Sequence, residues 1–210
     1  MDLWIQNAAL WYLLPLVVLG VLCWIFLKSV PIKASFKQQL DILPNKHTWF
    51  CTITYIMTFG SFSGLAAAFP LMIAKIYGGF PGAPDPLTYA FLGPLVGSLT
   101  RTLMGAPCDK WGGSIFTQLS GLGLMIGCGV LVFGGLLTPT SLDQFHAFLW
   151  TMLFLFFMSG LGNASTFRQY PIVFAYSPRQ GAGVIGWTAA WAAYGPFIFS
   201  TLIGVAMIQT

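Results

Sequence analysis

Arg101 carries the strongest chemical signal in this chain. It lies in GPLVGSLTRTLMGAP, about two-thirds along an otherwise apolar stretch. Counted at a helical rise of 1.5 Å per residue from Leu87, it sits roughly 21 Å in, just past the middle of a bilayer. A charge at that depth costs at least about 2.5–3.5 kcal/mol, and a guanidinium cannot lose its proton to avoid it. The five acidic residues are all aspartates, in or beside polar connectors, so none offers a counter-charge inside an apolar stretch. An anion held by two parallel N–H bonds would offset the cost. Snorkelling, a carbonyl partner or a partner on another chain are the alternatives.

Tyr55 and Phe59 could wall such a site. Four residues apart on a helix, they share a face. A phenol donates a hydrogen bond, and a ring edge is partially positive toward an anion; plain packing is the other reading. Arg168, closing GLGNASTFRQYP, reads as an interfacial cation or as a contact to a neighbouring loop that gates the molecule. His47 and His146 stand at the ends of apolar stretches, far apart in sequence. Cys23, Cys51, Cys108 and Cys128 lack CxxC spacing. No nucleophile–base pair is visible. The expectation is a protein that is not an enzyme and has no metal and no cofactor.

The elements that must position these residues follow from composition. Hydrophobic residues make up 57% of the 210 and charged ones only 7%, with a mean hydropathy of +0.79. A soluble domain carries roughly 25% charged residues, so much of this surface faces lipid. The net charge of +4 comes from nine scattered Lys and Arg; without a patch, nucleic acid is excluded as a partner. The sequence predicts an all-α polytopic bundle of about six transmembrane helices, since a span needs about 20 apolar residues. The stretches are Leu3–Leu27, Trp49–Ala74, Leu87–Cys108, Ser114–Leu137, Phe145–Tyr176 and Gly183–Gln209. The division is 1–27 as a first span, 28–48 as a basic linker, and 49–210 as a five-helix bundle. Asp109 to Gly113 is expected as a very short turn.

Charge then sets orientation. Lys28, Lys33, Lys37, Lys46, Lys110 and Arg179 share one side, which is cytoplasmic. Asp2, Asp85, Asp143 and Lys75 share the other. The N-terminus starts outside and Thr210 ends outside, as expected of a piece or subunit of something longer. Pairs of small residues recur for close helix packing: Gly60 with Gly64, Gly93 with Gly97, Gly123 with Gly127, Gly160 with Ala164, and Gly186 with Ala190. Pro70, Pro94, Pro107, Pro171 and Pro196 kink or end helices.

Gly105, Asp109, Lys110, Gly112 and Gly113 fit the pattern GxxxD(R/K)xGG, which resembles the cytoplasmic loop motif of the major facilitator superfamily. With TYIMTFGSFSGLAAAFPLMI, AFLGPLVGSLTRTLMGAPCDKWGG and SGLGNASTFRQYPIVF, the chain resembles the NarK-type nitrate/nitrite porters, in the order of helices six to eleven of that twelve-helix fold. The resemblance implies multi-pass placement in the inner (plasma) membrane. It also implies nitrate or nitrite transport by alternating access, as anion exchange or proton-coupled uptake, in nitrate assimilation. By it Arg101 is a substrate-binding arginine, and Tyr55 and Phe59 line its pocket. Asn163, Arg168, Gly186 and Gly195 belong to gating or signature segments. GVIGWTAAWAAYGPFIF departs from the family's glycine-rich helix at Ala189, Ala192 and Ala193, at Trp187 and Trp191, and at Pro196. The family's N-terminal half and twelfth helix are absent, so the implied partner is the missing half or another membrane chain. The alternative function is a non-transporting subunit or remnant that only associates with a partner.

Overall fold

The computed structural model describes residues 5–28 and 35–209; Asp2, Leu3, Lys33 and Thr210, used above, lie outside them. Helices and turns are the regular structure of the described residues. The chain divides into two units, Met1–Phe36 and Lys37–Thr210. In the first, α1 (Ile5–Phe26) is predominantly apolar after Gln6 and Asn7. Its large apolar side chains from Leu10 to Phe26 are exposed all round, as suits contact with lipid tails.

The second unit is a helical membrane bundle. After the short α2 (Phe36–Gln39), residues Lys46–Tyr77 form one long apolar helix, entered through Asn45, whose side chain accepts from the His47 amide at 2.9 Å. It is not uniform. Between α3 (Lys46–Tyr55) and α4 (Ser61–Met72) lies a π-helical turn, Ile56–Gly60, and a second follows at Ile73–Tyr77. Hydroxyls explain the first: Thr58 bonds back to the carbonyls of Thr54 and Tyr55, and Ser61 to those of Met57 and Thr58. Side-chain donors that take ladder acceptors loosen the helix there.

Proline decides the fate of the stretch expected as one helix from Leu87 to Cys108. It is divided into α5 (Pro86–Ala90), α6 (Leu92–Leu103) and α7 (Gly105–Trp111). Pro94 has no N–H for the Ala90 carbonyl, and Pro107 none for that of Leu103, so each helix ends four residues before its proline. The last stretch breaks the same way: α10 (Pro178–Ala192) ends four residues before Pro196, and α11 (Gly195–Gln209) follows. The Asp109–Gly113 turn is shorter than expected. Asp109, Lys110 and Trp111 are still helical, Gly112 alone makes the turn at φ +90°, and α8 (Gly113–Phe133) begins at once. Four described segments are long and apolar enough to cross a membrane: Lys46–Tyr77, Gly113–Phe133, Gln144–Val173 and Pro178–Ala206; Leu10–Phe26 is a shorter apolar helix.

The core lies along α9 (Gln144–Val173), which is buried continuously from Ser159 to Thr166. It packs on one side against α6 and on another against α8. Small residues set both crossings. A methyl group on Gly160 would run into the Gly97 backbone, and one on Gly113 into the Ser165 carbonyl. Gly186 has open space where a side chain would go, so it makes no such contact. Ser120 donates to the Met158 carbonyl at 2.6 Å, and Thr117 meets the Ser165 hydroxyl at 2.8 Å. Such interhelical hydrogen bonds hold helices together where lipid supplies no hydrophobic drive. Toward the far end, Phe69, Tyr77, Phe148 and Phe156 close the core, and the Tyr77 hydroxyl donates to the Leu136 carbonyl at 3.0 Å.

Candidate anion site

Arg101 stands on α6 one turn after Gly97 and beside Thr100, both of which are buried. Its side chain is exposed, and its guanidinium carbon lies 5.7 Å from the centre of the Phe167 ring. A guanidinium over a ring face gains about 0.5–2 kcal/mol, while its five N–H donors stay available. No carboxylate pairs with it among the described residues. The two ion pairs there engage other arginines: Arg168 with Asp109, and Arg179 with Asp41. Asp85 is occupied as a helix cap, accepting from the Leu87 amide at 3.1 Å.

Tyr55 and Phe59, expected as walls of the site, lie against each other rather than on the lining of the Arg101 cavity. Tyr55 and Phe59 stack with centroids 5.4 Å apart and an interplanar angle of 5°. The π-helical turn that starts at Ile56 carries Phe59. Tyr55, 3% exposed, also meets Phe167 edge-on at 4.7 Å. It lies within electrostatic reach of Arg101 and beside the Asn163 amide. A cavity of about 20 Å³ between α4, α6 and α9 is lined by Phe62, Gly97, Ser98, Arg101, Gly160 and Asn163. That is room for about one water, so the crevice admits only the edge of a small ion. Phe167, Phe62 and Ser98 were not singled out from the sequence. Phe167 had a signal, since it follows Asn163 by four residues on one face of α9.

A second cluster gathers the loop motif. Arg168 Nε lies 2.8 Å from Asp109 Oδ1. That N–H is not aimed at the oxygen, for Nε has no directed hydrogen bond, so the contact is an ion pair by proximity. The same guanidinium donates to the Ala164 carbonyl at 3.1 Å. Gly105 leaves the room it occupies, since a side chain there would strike it. Lys110 lies 5.7 Å from the centre of the Trp111 ring. Gly112 supplies the turn and Gly113 the close approach to α9. Elsewhere, Gly195 touches the backbone of Gly60, and Trp187 packs edge-on to Trp49 at 5.9 Å. Gly186, Gly195, Arg168 and the loop motif all stand apart from the Arg101 cavity; of that expected gating group, Asn163 alone lines it. Among the described residues no group of His, Cys or Asp could hold a metal ion.

No protein-family model matches the chain. Curated proteins do. It is 57% identical over 202 residues to "Probable nitrate/nitrite antiporter NarK2" of Thermus thermophilus, covering 96% of this chain and 44% of that protein. It is 34% identical over 227 residues to the nitrate/nitrite transporter NarU of Salmonella typhimurium, covering 98% of this chain and 48% of that protein. The chain belongs to the NarK-type nitrate/nitrite porter family. A more distant relative, 26% identical over 179 residues, is the "Nitrite extrusion protein" of Bacillus subtilis. All three are named for transport or extrusion and none for an enzymatic reaction. The chain spans about half the length of these porters, between 42% and 48%. With its apolar helices, it is a multi-pass membrane protein.

Proposed function

We propose that this chain supplies the C-terminal half of a porter that moves nitrate or nitrite across the inner membrane by alternating access. Residues 1–27 are its first span, 28–48 its cytoplasmic linker and 49–210 its bundle. The N-terminus is outside. One observation carries the reading: an exposed guanidinium rests on an aromatic face while every carboxylate that forms an ion pair among the described residues is committed to another arginine. A planar oxyanion matches the fork of a guanidinium through two parallel bonds. Tyr55 and Phe59 wall the site, and the open side of Arg101 faces the half that completes it. Arg168, Asp109 and Gly105 latch α7 to α9 at the cytoplasmic end, as a gate that opens when the pair parts.

The test joins this chain to the N-terminal half of the Thermus thermophilus relative and measures nitrate and nitrite uptake into proteoliposomes. Arg101→Lys keeps the charge but loses the planar fork, and should cut uptake by about a hundredfold. Equal uptake by both forms would remove Arg101 from the site. An assembly that sits in the membrane and transports neither anion would leave a non-transporting subunit as the answer.

A further inference from the structure

The cavity beside Arg101 holds a second polar group that the proposed function has not used. Asn163 is 2% exposed, deep in the run of α9 that the bundle buries on every side. Its Oδ1 has no hydrogen-bond partner. A buried amide oxygen without a donor is rare, and each instance calls for a missing partner. Arg101, on the same cavity, is a donor without an acceptor. The two do not bond to each other. A free guanidinium donor and a free amide oxygen around one small space mark a place for a guest.

Nitrate and nitrite carry acceptors only, so an amide oxygen cannot bind them. The amide nitrogen can. The two ends of an asparagine amide exchange by a half-turn about its last bond. With Nδ2 turned into the cavity, Oδ1 faces Tyr55, the neighbour on its other side. The phenol then donates to Oδ1 and Nδ2 donates to the anion, and no polar atom is left over. The two donors also differ in what they read. The Arg101 fork takes two oxygens of either anion. Nitrate has a third oxygen on the same plane and nitrite has none.

We propose that Asn163 is a specificity-determining residue of the anion site, its amide nitrogen, oriented by Tyr55, donating to the nitrate oxygen that the Arg101 fork leaves free. This rests on the anion-porter reading above and adds the discrimination between its two substrates. Hydrogen bonds to charged groups are strong enough that losing one weakens binding by about tenfold.

The experiment uses the same assembled porter and measures KM for nitrate and for nitrite separately. Asn163→Ala should raise KM for nitrate about tenfold and leave that for nitrite within about threefold. A merely structural role for Asn163 would move both together, and an unchanged ratio of the two constants overturns the proposal. Asn163→Asp, nearly the same shape, guards against a misfolded alanine variant. Its carboxylate gives Arg101 the counter-charge the site lacks, so uptake of both anions should fall at neutral pH; unchanged nitrate uptake in this variant also overturns the proposal. The Arg101→Lys arm separates the two levels. If the unsubstituted assembly moves both anions and Arg101→Lys abolishes both while Asn163→Ala changes nothing, the porter reading stands and the role of Asn163 falls. If the unsubstituted assembly moves neither, both fall.

Discussion

At the scale of single residues, the arginines of this chain divide by what faces them. Arg168 and Arg179 have aspartates; Arg101 has an aromatic ring and open space. That difference separates structure from chemistry. The Arg168–Asp109 pair is substantially exposed, with side chains 35% and 62% accessible, and exposed pairs contribute little. Asp109→Asn should therefore lower stability by no more than about 1 kcal/mol in thermal unfolding of the detergent-solubilised protein. A loss several times larger would mean that the pair holds α7 in place rather than latching it. Tyr55 and Phe59 were legible as a pair because helical spacing alone puts them on one face. The spacing of Phe167 from Asn163 was visible too, but its contact with Tyr55 was not, because only the packing of α3 on α9 brings the two rings together.

At the scale of elements, glycine and proline do most of the shaping, and they do it in different ways. Proline acts locally, on the carbonyl four residues earlier, so the breaks after Ala90, Leu103 and Ala192 follow from Pro94, Pro107 and Pro196. Pro70 and Pro171 lie within continuous helices, so the rule names candidate breaks and packing decides among them. Glycine acts at a distance, by what a neighbouring helix needs. Gly160 abuts the Gly97 backbone where α9 crosses α6. Gly160→Val should destabilise the bundle by about 1–3 kcal/mol through overpacking. Gly186 looks equivalent in sequence but has open space around it. Gly186→Ala should be neutral or stabilising by about 0.5–1 kcal/mol, since alanine is the better helix former. Comparing melting temperatures of the two variants tests whether these small residues are contacts or only spacers.

At the scale of the whole bundle, the loop residues before α3 are fastened to the turn between α9 and α10. Asn45 donates to the Tyr176 hydroxyl at 2.7 Å, and Ile42 packs with Phe174 and Val184. Arg179 bonds to Asp41 and to the Gln38 carbonyl. The hydrogen bonds from Arg179 hold the Asp41 carboxyl below its ordinary value of 3.8. A carboxylate whose pKa is lowered by folding stabilises the folded state above its unfolded pKa, and that stabilisation is lost as pH falls through the folded one. The melting temperature of the native chain should thus exceed that of Asp41→Asn at about pH 5, with the gap closing toward about pH 3. High salt should shrink the gap as well, because the pair is accessible to ions. No gap at about pH 5 would assign the fastening to Ile42 and Asn45 instead.

Lipid as the solvent, the helical class and Arg101 as a cation in an apolar stretch were all readable along the chain. Composition rules out a water-facing surface, and a guanidinium in an apolar stretch with no acid nearby along the chain is visible without coordinates. It also named the candidate proline breaks, whose cause lies within four residues, though Pro70 and Pro171 leave their helices whole. Which arginine keeps an open face, that Asn163 shares its cavity and which glycines touch anything emerged from the packing. Those facts depend on where α6, α9 and α3 cross. Distant segments are brought together by packing, and packing depends on the shapes of all the partners at once rather than on any local spacing.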